Sequence, residues 1–131
     1  KSKNENLRDA ISFGDEWKKI NGEELVTGVL IVRNEFLENN QGAFETFLSE
    51  YKASTEFTKS APDAAAELVG KYEIVPAPVA KIAIPKSNIT FIAGDDMEAN
   101  LGAYLKILFE QDPKSVGGKL PGEDFYFMNQ K

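Results

Sequence analysis

The sequence predicts a helix-rich α/β fold built on one buried strand and about five helices. Two observations carry that prediction. Nearly every residue of Leu25-Val26-Thr27-Gly28-Val29-Leu30-Ile31-Val32 is apolar or small, with no polar alternation. A strand written that way is buried on both faces, in the middle of a sheet covered by helices. From Phe36 onward, apolar residues instead recur at helical spacing over most of the chain. Few other segments read as strands, so the central strand lacks neighbours, and the pattern predicts that part of the protein lies elsewhere.

Taken in order, Lys1 to Asn6 is a polar start, and Ala10-Ile11-Ser12-Phe13 reads as a short strand broken by Gly14. Asp15 to Ile20 reads as a short helix, with acids in its first turn and lysines in its last, as the macrodipole favours. Asn21-Gly22 marks a turn, since both residues tolerate positive φ. After the apolar strand and Arg33, a helix is predicted over Gln41–Lys59. Its apolar stripe is Phe44, Phe47, Leu48 and Tyr51, at i, i+3, i+4 and i+7, extended by Ala53 and Phe57. Ser60-Ala61-Pro62-Asp63 supplies a capping hydroxyl, a first-turn proline and an acid to start the next helix. The apolar side of that helix is Ala64, Ala65, Leu68, Val69 and Tyr72, and Gly70 begins to end it.

Pro76 and Pro78 open a short helix from Val79 to about Ile84, stopped by Pro85. Asn88 to Ile92 reads as extended, a short edge strand. Asp95 is the expected cap of the last helix, whose buried face is Met97, Leu101, Tyr104, Leu105 and Leu108 and which closes at Asp112-Pro113. The tail is rich in Gly and Pro, and Phe125, Tyr126 and Phe127 are expected to pin it to the body. No internal repeat, low-complexity tract or linker is evident.

Composition narrows the chemistry. At 131 residues, with 42% hydrophobic and 27% charged side chains, the chain has the make-up of one globular domain. No apolar run approaches the roughly 20 residues of a membrane-spanning helix. The chain starts at Lys1 rather than Met, which fits a processed protein or an excised piece. A net charge of −6 disfavours nucleic acid and anionic membrane surfaces, both of which reward Lys and Arg. Neither cysteine nor histidine is present. That removes disulfides, thiolate and imidazole metal ligands, thiol nucleophiles and the Ser-His-Asp triad together. The composition therefore points away from an enzyme and calls for no cofactor.

Several short patterns carry little. Gly117-Gly118-Lys119 lacks the earlier glycine and the following Ser or Thr of a phosphate loop, with Pro113 and Leu120 in those places. The acidic groups Asp95-Asp96-Glu98, Glu23-Glu24 and Glu123-Asp124 lack calcium-loop spacing, so no metal is expected. Asn88-Ile89-Thr90 has the form of a glycosylation acceptor, a triplet common by chance. Trp17, the single tryptophan, reads first as core packing and second as a ligand-stacking surface at a cleft edge. Gly28 admits close approach by either a ligand or a packing helix, and Thr27 beside it adds a hydroxyl.

The order of features carries more than any one motif. Thr27 to Asn40, reading TGVLIVRNEFLENN, resembles the strand "xGVLVVRKEFLEKN" of solute-binding proteins of ABC importers. There it precedes "PEAVxxFLxxYxxS" and a helix reading "PxEAAxLxxKY". This chain has Gln41-Gly42-Ala43-Phe44 with Phe47-Leu48, and then Pro62-Asp63-Ala64-Ala65-Ala66-Glu67-Leu68-Val69-Gly70-Lys71-Tyr72. Ala83 to Ile89 resembles "AIPxxNI", and Glu110 to Pro121 resembles the tail "EQNPKSVGGKLP" of a lipoprotein subgroup. The resemblance is to the type 2 periplasmic-binding fold, in the nitrate, sulfonate, taurine and thiamine-precursor group.

The resemblance implies that the chain is the C-terminal segment of a two-lobed protein. Residues 1–24 would end the second lobe, and residues 25–131 would supply the return crossover strand and the helices completing the first. Thr27 and Gly28 would then sit near the hinge and the ligand cleft, with Trp17 the third candidate ligand contact, as the stacking surface at a cleft edge. The implied partners are a small solute of the sulfonate, nitrate or thiamine-precursor class and an ABC permease. The implied location is extracytoplasmic, either periplasmic or lipid-anchored at the cell surface. The alternative function is a mainly helical interaction domain that pairs its apolar strand with a partner chain. On either reading the isolated piece is open to self-association.

Overall fold

A computed structural model describes residues 10–22 and 24–128. Five α-helices account for most of it: α1 (Phe13–Asn21), α2 (Asn34–Ser60), α3 (Pro62–Lys71), α4 (Ala77–Ala83) and α5 (Asp95–Gln111). Short 3₁₀ turns occupy Ile84–Lys86, Pro113–Val116 and Glu123–Phe125. The helix-rich, five-helix expectation is met, whereas among the described residues no strand is formed, neither the crossover strand nor the short ones. The three segments read as strands are irregular: residues 10–12, with Phe13 already opening α1, residues 24–33 and residues 88–93. A strand persists only where a neighbour completes its ladder of backbone hydrogen bonds. The described chain offers Leu25–Val32 none, and Val29 and Ile31 are left 60% and 82% exposed.

The chain divides into two compact units, Lys1–Leu30 with Ala93–Lys131, and Ile31–Ile92.

In the first unit, α1 starts where the Ser12 side chain accepts from the Asp15 N–H at 3.3 Å. It ends where Gly22, at φ 79°, donates its N–H to the Lys18 carbonyl at 2.8 Å. That left-handed cap is a position glycine fills without strain. Charges follow the dipole, with Asp15 and Glu16 in the first turn, and Lys19 bonds Glu16 at 2.7 Å. The helix α5 follows Gly94, whose backbone (φ 64°, ψ −143°) is open essentially to glycine alone. Asp95 is therefore the first helical residue rather than the cap, and no side chain caps α5. The helix stops at Asp112, whose carboxylate accepts from the Lys114 N–H at 3.0 Å. Met97, Leu101, Tyr104, Leu105 and Leu108 are half-buried, less sealed than their periodicity predicts. The tail does return to α5, since the Tyr126 hydroxyl lies 3.5 Å from where a Cβ on Gly102 would stand. Burial, aided by the nearby Glu98 charge, raises the Tyr126 pKa.

The second unit packs α2 on α3 and α3 on α4. Helix α2 starts at Asn34, earlier than the predicted Gln41, but Asn40 has non-helical backbone (φ −139°, ψ 33°) and kinks it. Asn39 and Asn40 mark the break, their side-chain amides donating to the Glu35 and Phe36 carbonyls at 2.7 and 3.1 Å. Ser60 does not cap α3; its hydroxyl donates back to Phe57, and Ala61 takes the cap position without a side-chain bond. The core of this unit is Phe44, Thr55, Ala65, Ala66 and Ala80. These mostly small residues let helices approach closely, and Gly70, in the last turn of α3, faces Ala77 of α4. Leu68 and Tyr72, expected inside, are exposed. On the outside, Lys81 of α4 reaches Glu67 of α3 at 2.7 Å. As expected, α4 ends just before Pro85, at Ala83, and Pro85 lies in the 3₁₀ turn that follows.

Candidate functional site

The residues singled out from sequence are not gathered into one place. Trp17 is half-buried on α1, its ring tilted 56° to Tyr104 of α5 with centroids 5.3 Å apart. A pair so arranged stabilises by about 0.5–1.5 kcal/mol beyond its buried area. Packing is thus the first role of Trp17. Thr27 and Gly28 are exposed, and a Cβ added to Gly28 would meet nothing within 4 Å. The close approach expected at Gly28 is therefore absent from the described structure.

What the structure does bring together is a pair of shallow depressions beside Trp17. One, of about 240 Å³, is lined chiefly by Trp17, Asn21, Asn100, Tyr104, Lys106 and Glu110. The other, an open groove of about 520 Å³, adds Phe13, Glu16, Ile20 and Leu25. The first falls below the roughly 300–1,000 Å³ usual for small-molecule sites, and the second is open to solvent on one side. Neither Thr27 nor Gly28 lines them.

Local helix geometry explains the grouping. Asn100, Tyr104, Ile107 and Glu110 stand at successive steps of four and three residues, hence on one face of α5. Asn21 follows Trp17 by one turn on α1, and its carboxamide donates to the Trp17 carbonyl at 3.1 Å. That spacing was readable from sequence. What was not readable is that Trp17 of α1 meets Tyr104 on this face of α5, because the two residues are far apart in the sequence.

Electrostatics add little chemistry. Lys18 is hydrogen-bonded to Glu24, and that bond raises its pKa. Both groups are exposed, so solvent screens the pair. Among the described residues no group of acids is arranged to hold a metal ion. Gly117 and Gly118, at φ 79° and 86°, direct their N–H groups to the Lys114 and Pro113 carbonyls at 3.2 and 2.8 Å. Those donors are already used, so the segment is a turn and not a phosphate cradle. No described helix is long and apolar enough to cross a membrane. No protein-family model, curated protein or solved structure matches the chain.

Proposed function

We propose that the chain is the C-terminal segment of a solute-binding component of an ABC importer, with the type 2 periplasmic-binding fold. The observation that carries this reading is the run Leu25–Val32, written for a doubly covered strand yet irregular and without a ladder among the described residues. It stands in the order of segments that resembles that group, followed by helices over Asn34–Ser60 and Pro62–Lys71. In the whole protein this run is the return crossover strand, with its neighbours supplied by chain outside the sequence. Thr27 and Gly28, exposed here, then border the interlobe cleft, and Trp17 stands at its edge. The lobes close on a small solute because contacts in the closed state are better, and the complex docks on a permease outside the cytoplasmic membrane. The function is capture and delivery, not catalysis, and requires no cofactor.

Calorimetric titration of the full-length protein with sulfonates, nitrate and thiamine precursors tests this reading. Saturable heat with one of the three supports it, and silence with all of them rejects it.

A second reading rests on the exposure of Val29, Leu30 and Ile31. A helical interaction domain adds such a segment to the sheet edge of a partner, where main-chain bonds give affinity and alternate side chains give specificity. In that case the full-length protein binds a protein partner and no solute.

A further inference from the structure

We propose that Asn21-Gly22 is a deamidation site whose conversion frees the end of α1 and separates Trp17 from Tyr104. It is the one Asn-Gly pair in the sequence. Elsewhere asparagine is followed by a residue with a side chain: Glu35 after Asn34, Asn40 after Asn39, Ile89 after Asn88 and Leu101 after Asn100. Such a side chain hinders attack by the following backbone nitrogen, whereas glycine does not. Gly22 is exposed, at φ 79°, with open space where a Cβ would be. Two solvent-exposed bonds hold the turn: the Gly22 N–H to the Lys18 carbonyl and the Asn21 carboxamide to the Trp17 carbonyl. When this last turn frays, as helix ends do, both are released and the nitrogen is free to react.

The chemistry closes without a cofactor. The Gly22 backbone nitrogen attacks Cγ of Asn21, a C–N bond forms, the Cγ–Nδ2 bond breaks, and ammonia leaves with the proton from the attacking nitrogen. Water then opens the succinimide at either carbonyl, giving aspartate or isoaspartate. The product puts a carboxylate at the C-terminal end of α1, where the helix dipole is already negative. It also removes the donor to the Trp17 carbonyl and adds negative charge to a cleft lining that already contains Glu110.

The test is incubation of the chain in warm, mildly alkaline buffer, followed by peptide mapping with isoaspartate detection and tryptophan fluorescence. We expect conversion at Asn21 to outpace that at Asn34, Asn39, Asn88 and Asn100, with a parallel red shift of Trp17 emission. Asn21→Gln should abolish both changes. Asn21→Asp should show the red shift from the outset. Conversion at Asn21 no faster than at the other asparagines, or unshifted emission in Asn21→Asp, would overturn the proposal.

Discussion

Gly70→Ala is predicted to destabilise the second unit, against the usual effect of that exchange. In a helix interior, alanine is favoured over glycine by about 0.5–1 kcal/mol, and Gly70, one residue from the end of α3, realises at most that gain. Here the added methyl would stand 2.8 Å from Ala77 Cβ, 3.0 Å from Ala77 N and 3.3 Å from Ala77 Cα. Carbon contacts prefer about 3.5–4.0 Å, so α3 and α4 must separate. Overpacking of this kind costs about 1–3 kcal/mol, leaving a net loss on the order of 1 kcal/mol. For a domain of this size that lowers the melting temperature by about 4–8 °C. Gly42→Ala is the open-space control, since Gly42, two residues past the Asn40 break in α2, has nothing within 4 Å of its Cβ position. It should show the ordinary stabilisation. Urea titrations followed by circular dichroism measure both, and Gly70→Ala in Ala77→Gly should recover part of the loss through their coupling. If Gly70→Ala stabilises as much as Gly42→Ala, the close packing of α3 on α4 is refuted.

Three other expectations follow from the same contacts. Tyr104→Ala should red-shift the emission of Trp17, the single tryptophan, and cost about 0.5–1.5 kcal/mol through the lost ring pair; an unshifted spectrum would contradict the α1–α5 contact. The folded pKa of Tyr126 is raised by burial, so its contribution to stability is complete below the ordinary tyrosine pKa and is lost as pH rises through the raised value. Phenolate absorbance and denaturation midpoints should show that alkaline loss in the wild type and a smaller one in Tyr126→Phe. Ile31→Lys should reduce any concentration-dependent association seen by sedimentation, because Ile31 is the most exposed of the apolar residues at 25–33; association that persists unchanged would place the contact elsewhere.

The helices were legible in the sequence because their signals are local. Acids and lysines place α1, Gly22 ends it, Pro62 opens α3, and Asp112-Pro113 closes α5. Errors arose where neighbouring backbone decides. Asp95 and Ser60 have the side chains of caps, but Gly94 and Ala61 take the cap positions. Asn40 lies in a continuous helical pattern and yet kinks α2. Burial was the least legible property. Leu68 and Tyr72 have the right period for a core, yet Ala65, Ala66 and Ala80 make the contact, since small side chains let α3 and α4 approach. The strand at Leu25–Val32 is not formed among the described residues for a different reason: its pattern describes an environment on both faces, which local residues do not supply. Thr27 and Gly28 lie in that same irregular segment and are exposed. Trp17 needed only one neighbouring helix, and its half-buried ring meets Tyr104 there.

The account turns on whether Leu25–Val32 is a strand separated from its neighbours. Amide hydrogen exchange of that segment, compared between this chain alone and the full-length protein, tests it most directly. The account predicts rapid exchange in the chain alone and strong protection of Leu25–Val32 in the full-length protein. Equally rapid exchange in both would contradict it.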